Sequence, residues 1–167
     1  VSALDPGTDL LVDLCAGTGD LGLAALRGGR CRRVVAADFT PAMLAAPNLH
    51  DIIGAVEGSP KPVVAAIEGT CLGGGLEFAM GCHYRVVAES AKLGLPEVKV
   101  GLLPGGGGTQ RMPRLIGVTQ SLPYLLEGGN IPAAEAKKLG LVHEVVPAGE
   151  LIAAAKRWLL GEAVDEK

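Results

Sequence analysis

Two glutamates in the middle of this chain each follow a turn that glycine or proline shapes. Glu77 comes after Gly73, Gly74 and Gly75, where a strand is expected to end and a helix to begin. Amide N–H groups at a helix start have no partner inside the helix, and together with the helix dipole they stabilise negative charge on an oxygen. The sequence therefore predicts a backbone anion hole beside Glu77. On spacing alone, an acidic residue that only stabilises the helix start explains Glu77 equally well.

Glu97 is the second candidate carboxylate, and it follows an extended segment that Pro96 is expected to fix. Four consecutive glycines at positions 105–108 then open another turn-to-helix junction. No Lys followed by Ser or Thr comes after these glycines, so they do not form a P-loop. We predict that these pieces converge on one site, in which the anion hole faces a pair of carboxylates. The alternative for Glu97 is a solvent-facing turn residue.

The first 46 residues carry a different pattern, that of a nucleotide-binding βαβ unit. Apolar runs at residues 10–15 and 34–38 predict buried parallel strands, and residues 20–27 have helical spacing between them. Residues 17–22 fit GxGxxG, and Asp38 follows at the distance of an acidic residue that binds ribose hydroxyls. The pattern predicts a Rossmann-like unit, and a glycine-rich turn without a ligand is the alternative.

Composition excludes several classes of protein. Hydrophobic residues make up 49% of the 167 residues and aromatic residues 3%, so aliphatic side chains must fill the core. The net charge of -3 is spread without a basic patch, which argues against a nucleic-acid partner. No apolar run approaches the roughly 20 residues of a membrane span, and the acidic start is unlike a signal peptide. The four cysteines lack CxxC spacing, which favours reduced thiols in a cytoplasmic protein over disulfides or a metal site.

The character of the chain changes near Pro47, and we place a domain boundary between residues 1–46 and 47–167. Asn48 is a candidate cap for a helix with apolar residues at helical spacing. Glycine, proline and apolar patterns predict the remaining elements: strands at residues 63–67, 84–87 and 141–146, and helices at residues 119–127, 132–139 and 150–160.

Three stretches carry a resemblance to a known family: PKPVVAAIEGTCLGGGLEFAMGCHYRVV, AKLGLPEVKVGLLPGGGGTQRMPRLIG and IPAAEAKKLGLVHEVVP. They make residues 48–167 similar to the enoyl-CoA hydratase/isomerase (crotonase) superfamily, and most of all to the hydratase domain of multifunctional fatty-acid oxidation enzymes. The resemblance implies an α/β fold of ββα units wound into a spiral, here incomplete. It also implies an acyl-CoA substrate, no cofactor or metal beyond the coenzyme A of that substrate, and a trimer-based homo-oligomer.

The resemblance also implies roles for individual residues. The N–H of Gly74 would be one of two donors to the thioester oxygen, and Glu77 and Glu97 would be the acid/base pair that adds water to a 2-enoyl double bond. Family members with other chemistry often lack one of these glutamates, so the presence of both argues for hydration. Three further glycines would take substrate-binding positions around the oxygen and the water: Gly73, Gly75 and Gly105.

A second resemblance covers residues 10–46. Asp13, the AGTG turn and DFTPAMLAA are similar to a class I S-adenosylmethionine-dependent methyltransferase of the quinone-biosynthesis branch. The turn would hold the methionine part of the cofactor, and Asp38 would hold its ribose. S-adenosylmethionine is therefore the alternative cofactor, and a methyltransferase fragment is the alternative function.

The chain departs from the crotonase pattern at both ends. The family's early strands carry the second N–H donor, and here the methyltransferase-like segment stands in their place. A strand at residues 34–38 is a candidate substitute, with the backbone near Val35 or Ala36 as donor. The helices that build the family's trimer are missing, and Pro123 is expected to interrupt a helix. A non-catalytic fusion product is thus a third hypothesis.

Overall fold

A computed structural model describes residues 49–160 of the chain and the backbone of residues 11–14 and 34–37. The strands are β1 (Leu11–Leu14), β2 (Val34–Ala37), β3 (Val64–Ile67), β4 (Thr70–Leu72), β5 (Tyr84–Ala88), β6 (Lys92–Gly94), β7 (Asn130–Pro132) and β8 (Glu144–Val146). The α-helices are α1 (Leu49–Glu57), α2 (Gly74–Gly81), α3 (Gly108–Ile116), α4 (Val118–Glu127), α5 (Ala133–Leu139) and α6 (Leu151–Leu160). Two 3-10 helices span Pro96–Val100 and Ala148–Glu150.

A parallel five-stranded sheet forms the centre of the fold, with the strand order β2-β1-β3-β5-β8. Strand β3 is apolar at every position because both of its faces are covered. Val63, Ala65 and Ile67 enter one core with the helices α1 to α3. Val64 and Ala66 face the opposite way and pack with α6. The helix α2 therefore lies over one face of the sheet, with an apolar layer beneath it.

A smaller sheet, with the order β4-β6-β7, brings two distant turns together. Strands β4 and β6 are parallel and pair Leu72 with Gly94 at their carboxyl ends. The ladder extends by one further hydrogen bond, because the N–H of Gly73 donates to the Gly94 carbonyl at 2.9 Å. The residues that follow β4 and the residues that follow β6 must therefore lie side by side.

Arg85 is a buried cation at the carboxyl end of α2, with 3% of its surface exposed. Its guanidinium donates to the carbonyls of Cys82 and Leu141, each at 2.7 Å, and of Ala79 at 3.3 Å. The last carbonyls of a helix have no partner inside the helix and favour a cation nearby. Burial lowers the pKa of this guanidinium. Arg85 thus anchors the end of α2 opposite to Gly74.

The two strands from the first 46 residues belong to the same sheet as the rest. Strand β1 pairs in parallel with both β2 and β3. A separate Rossmann-like unit is therefore not shown, and the GxGxxG turn, the helix at residues 20–27 and Asp38 lie outside the described residues. Strand β1 lies between β3 and β2. Val35 and Ala36, in β2, are therefore one strand further from β3 than β1 is, at the edge of the sheet as described. The domain boundary after residue 46 stays a prediction.

Most expected elements of residues 49–160 form, with three differences. The strand predicted at residues 141–146 is confined to Glu144–Val146. Pro96 begins a 3-10 helix and is not part of the extended segment, which ends before it, so Glu97 lies in a helical turn. Pro123 does not interrupt α4, which continues from Val118 to Glu127. Pro123 has no N–H to donate to the Thr119 carbonyl, and both residues are exposed, so water can reach this carbonyl.

None of the helices in the described part of the chain is long and apolar enough to cross a membrane.

We expect Gly81→Ala to destabilise the fold by about 1–3 kcal/mol, because a Cβ there would lie 2.5 Å from Cγ2 of the buried Ile53. Gly54→Ala, on the exposed side of α1, is the matched control. A Cβ at Gly54 would meet no atom of residues 49–160 within 4 Å, so alanine should stabilise the helix by up to about 1 kcal/mol. Free energies of unfolding from urea denaturation check both values. Equal stabilities of the two variants would contradict this packing of α1 on α2.

Candidate functional site

The glycine turn after β4 adopts a backbone conformation that other residues avoid. Gly73 has φ 55° and ψ -129°, and a Cβ added there would lie 3.3 Å from Oε1 of Glu97. The carbonyl of Gly73 accepts the N–H of Glu77 at 3.0 Å, which starts α2. Within residues 49–160 no acceptor faces the N–H of Gly74, the first residue of α2. Gly75, the next residue, is buried. The turn therefore presents an amide N–H at the positive end of a helix dipole.

Glu77 is buried in the first turn of α2, with 2% of its surface exposed. Its Oε1 accepts the N–H of Gly108 at 2.7 Å. Its Oε2 lies against the second glycine run, because a Cβ on Gly106 would stand 2.7 Å from it. The same Cβ would stand 2.7 Å from Cδ2 of Leu49, on α1. Glycine at positions 106 and 108 lets the backbone approach the Glu77 carboxylate directly.

Glu97 lies in the first turn of the 3-10 helix Pro96–Val100. Its Oε1 lies beside Gly73, and its Oε2 is buried without a hydrogen-bond partner among the described residues. Burial raises the pKa of Glu97, its own backbone N–H lowers it, and the charge of Glu77 raises it. The two carboxylates are thus close enough to interact, and Glu97 has an oxygen free to take a hydrogen bond.

The structure brings Glu77, Glu97 and the Gly73 turn together, as the sequence predicted, and it separates Gly105 from them. Gly105 is exposed, and among the described residues a Cβ on it would meet the Leu103 carbonyl alone, at 3.9 Å. Gly106 and Gly108 contact Glu77 instead. Sequence reasoning missed them because four identical residues do not reveal which one faces the site.

Arg111 and Glu57 were also missed. The Arg111 guanidinium donates to both carboxylate oxygens of Glu57, at 2.7 and 2.8 Å, and to the Gly106 carbonyl at 2.7 Å. A basic residue in the sequence GGTQRMPR was the available signal, but its partner lies far away in the chain.

The histidines serve the backbone outside this site. Nδ1 of His83 accepts the N–H of Val63, and Nδ1 of His143 accepts the N–H of Arg85, each at 3.1 Å. Burial, followed by the charges of Arg85 and Lys137, lowers the pKa of His143 to about 4. These contacts give His83 and His143 structural roles.

Comparison with known families identifies the fold around this site. The model of the enoyl-CoA hydratase/isomerase family matches residues 29–162. The chain belongs to this family. The match includes residues 29–46, which the sequence analysis had assigned to a methyltransferase-like segment. That assignment, and the S-adenosylmethionine site that came with it, find no support in the comparisons.

Similar proteins come from fatty-acid oxidation. The chain is 43% identical over 166 residues to a fatty acid oxidation complex subunit alpha of Shewanella loihica, which covers 93% of this chain and 24% of that protein. It is 51% identical over 113 residues to a peroxisomal fatty acid beta-oxidation multifunctional protein of Arabidopsis thaliana, covering 68% of this chain and 16% of that protein. The chain thus spans about a quarter or less of the length of these relatives.

Solved structures agree with this family. The enoyl-CoA hydratase of Bacillus anthracis superposes with a TM-score of 0.71 and 36% identity, covering 95% of this chain and 60% of that one. An enoyl-CoA hydratase of Geobacillus kaustophilus gives a TM-score of 0.66 at 33% identity, covering 77% of this chain and 52% of that one. The crotonase-like α/β fold predicted from the sequence is therefore confirmed.

Glu97→Gln should stabilise the fold at pH 7 and not at low pH. Because the pKa of Glu97 is raised in the folded state, the folded state prefers the protonated form. Below the ordinary glutamate pKa of about 4.3 Glu97 is protonated in both the folded and the unfolded state, so it costs the fold no stability. Above its raised pKa the charged carboxylate lowers the free energy of unfolding by the full amount. Glutamine has no charge at any of these pH values.

Thermal melts between pH 3.5 and 7 measure the effect as the difference in Tm between Glu97→Gln and the parent chain. We expect this difference to grow as the pH rises. Glu127→Gln, at an exposed position at the end of α4, controls for the loss of one negative charge. A difference that is independent of pH would contradict the burial of Glu97.

Proposed function

We propose that this chain adds water to the double bond of a 2-enoyl-CoA thioester. The observation that carries the proposal is the convergence of two carboxylates on the Gly73 turn. Glu77 is buried and held by an amide, while Glu97 has a raised pKa and a buried oxygen with no partner among the described residues. The relatives named above, whose names refer to fatty-acid oxidation and enoyl-CoA hydratase, support the substrate class.

The two glutamates have different surroundings, and we propose different roles for them. Glu77 is fixed by Gly108 and accepts a proton from the water as the water oxygen bonds to the β-carbon of the substrate. Glu97 gives a proton to the α-carbon, since a carboxyl with a raised pKa carries its proton closer to neutral pH. The product is a 3-hydroxyacyl-CoA.

We further propose that the Gly74 N–H donates to the thioester oxygen. Negative charge grows on that oxygen as the enolate forms, so a fixed amide stabilises the transition state more than the substrate. Gly73 and Gly75 flank this donor and would line the substrate site, and Gly105 would lie at its solvent side. The chemistry needs proton transfers and an anion hole, so it requires no cofactor beyond the coenzyme A of the substrate.

Other properties of the complete protein stay proposals. A trimer-based homo-oligomer follows only from the family resemblance. A cytoplasmic location also stays a prediction, and the Arabidopsis thaliana relative is named as a peroxisomal protein.

Hydration of crotonyl-CoA by the full chain, followed by the loss of absorbance of the conjugated thioester, tests the proposal. We expect Glu77→Gln and Glu97→Gln each to lower kcat by about 10²–10⁴, because each removes a group that moves a proton. Glu135→Gln is the control, since the partner of Glu135 among the described residues is Lys138 on the same helix α5, at 3.9 Å. Absence of hydration by the well-folded parent chain, across short and long 2-enoyl-CoA substrates, would sink the proposal.

Alanine substitutions in the second glycine run test which glycine borders the reacting groups. We expect Gly106→Ala to lower kcat strongly, because its Cβ would displace the Glu77 carboxylate and Leu49. Gly105→Ala adds a methyl group whose nearest neighbour among the described residues is the Leu103 carbonyl, at 3.9 Å, so a smaller loss is expected. Steady-state kinetics with a melt of each variant measure the difference. A larger loss for Gly105→Ala would show that this residue lines the site more closely than Gly106.

A further inference from the structure

The second glycine run has no side chains of its own, so contacts to its backbone must determine where it lies. Arg111, in the first turns of α3, folds back over this run. Its Nη1 donates to the Gly106 carbonyl at 2.7 Å, and its own N–H donates to the Gly107 carbonyl at 2.9 Å. A Cβ on Gly107 would collide with Nη1 of Arg111. The guanidinium therefore lies directly against the turn.

The other edge of the guanidinium is fixed by Glu57. Nε and Nη2 of Arg111 donate to the two carboxylate oxygens of Glu57 in a bidentate pair. Glu57 is the last residue of α1, and α1 packs closely on α2, where a Cβ on Gly81 would stand 3.7 Å from Cγ of Glu57. The pair therefore ties the glycine run to α1, which packs on α2, the helix that holds Glu77.

The partial exposure of the Arg111–Glu57 ion pair indicates that it positions nearby groups more than it stabilises the whole fold. The side chain of Arg111 is 18% exposed and that of Glu57 46% exposed, and ion pairs at such positions contribute little to global stability. The hydrogen bonds that Arg111 donates to Glu57 make the largest contribution to raising the pKa of Arg111, and the charge of Glu77 adds a smaller one. The guanidinium is therefore within electrostatic reach of Glu77 without a hydrogen bond to it among the described contacts.

We propose that Arg111, held by Glu57, is a positioning residue for Glu77. By fixing the Gly106 carbonyl it keeps the Gly108 N–H on Oε1 of Glu77, and so it orients the carboxylate toward the water. The inference rests on the proposed hydratase function for its catalytic consequence, whereas the anchoring of the glycine run can be measured without activity.

The kinetic test compares Arg111→Lys with Arg114→Lys in the full chain. Lysine keeps the charge but lacks the planar fork that joins Glu57 to Gly106. We expect kcat for crotonyl-CoA hydration to fall by about 10–100-fold in Arg111→Lys, with KM within about twofold of the parent, because a misplaced group slows the chemical step more than binding. Arg114, three residues further on, contacts only Gln110 of its own helix among the described residues, and Arg114→Lys should behave as the parent.

Glu57→Gln should give a smaller loss, because an amide retains one acceptor. Arg111→Lys added to Glu57→Gln should cost less than the product of the two separate effects, since the residues act through one contact. If the fold-loss of kcat in the double variant equals the product of the two single losses, the positioning role is wrong. A rise in KM with unchanged kcat would also overturn it.

Amide hydrogen exchange of Gly108, followed by two-dimensional NMR, gives the second readout. Arg111→Lys should accelerate this exchange on the order of tenfold through local opening, while Arg114→Lys should not. If the parent chain does not hydrate any 2-enoyl-CoA but the exchange still accelerates, the proposed function fails and the anchoring by Arg111 holds. If Gly108 exchange is unchanged in Arg111→Lys, the inference is wrong whatever the activity.

Discussion

A hydrogen bond between a buried carboxylate and a backbone amide, Glu77 with Gly108, is the contact on which the site depends. An ionised carboxylate taken out of water is strongly unfavourable unless donors replace the lost hydration. Here Glu77 stands in the first turn of α2, and Gly108 is the first residue of α3. The positive ends of two helix dipoles therefore meet at one side chain. The packing of these helices brings this about, and Arg85 at the far end of α2 complements the same dipole.

Glu97, unlike Glu77, is not held by a backbone amide through its buried oxygen among the described residues. Its buried Oε2 has no hydrogen-bond partner in the part of the chain that the structure describes, and burial disfavours its charge. Folded proteins seldom leave such an atom unsatisfied, and the exceptions concentrate where stability is given up for function. One carboxylate is thus immobilised by the fold, while its neighbour is left with capacity for a further hydrogen bond. That asymmetry supports the different roles proposed for them.

The sequence revealed the chemistry of this site better than its detailed geometry. Glu77, Glu97 and the Gly73 turn could be predicted because glycine turns, helix starts and family motifs are local signals. The choice among Gly105, Gly106 and Gly108 could not, since it depends on how α3 approaches α2. The pairing of Arg111 with Glu57 was equally hidden, because 54 positions of chain separate the two residues. At the start of the chain, a glycine-rich turn suggested a separate cofactor unit, which the comparisons do not support, and β1 pairs directly with β3.

The pairing of Leu72 with Gly94 has a consequence for the lengths that the chain can tolerate. This pairing fixes where the Gly73 turn, after β4, lies relative to Glu97, which follows β6 and stands three residues beyond Gly94. One residue inserted between Gly94 and Glu97 would shift the carboxylate by up to ~3.3 Å, about the length of a hydrogen bond. Insertions at the exposed residues 101–103 leave the spacing from Gly94 to Glu97 untouched. Chain length is therefore constrained tightly where the smaller sheet ends.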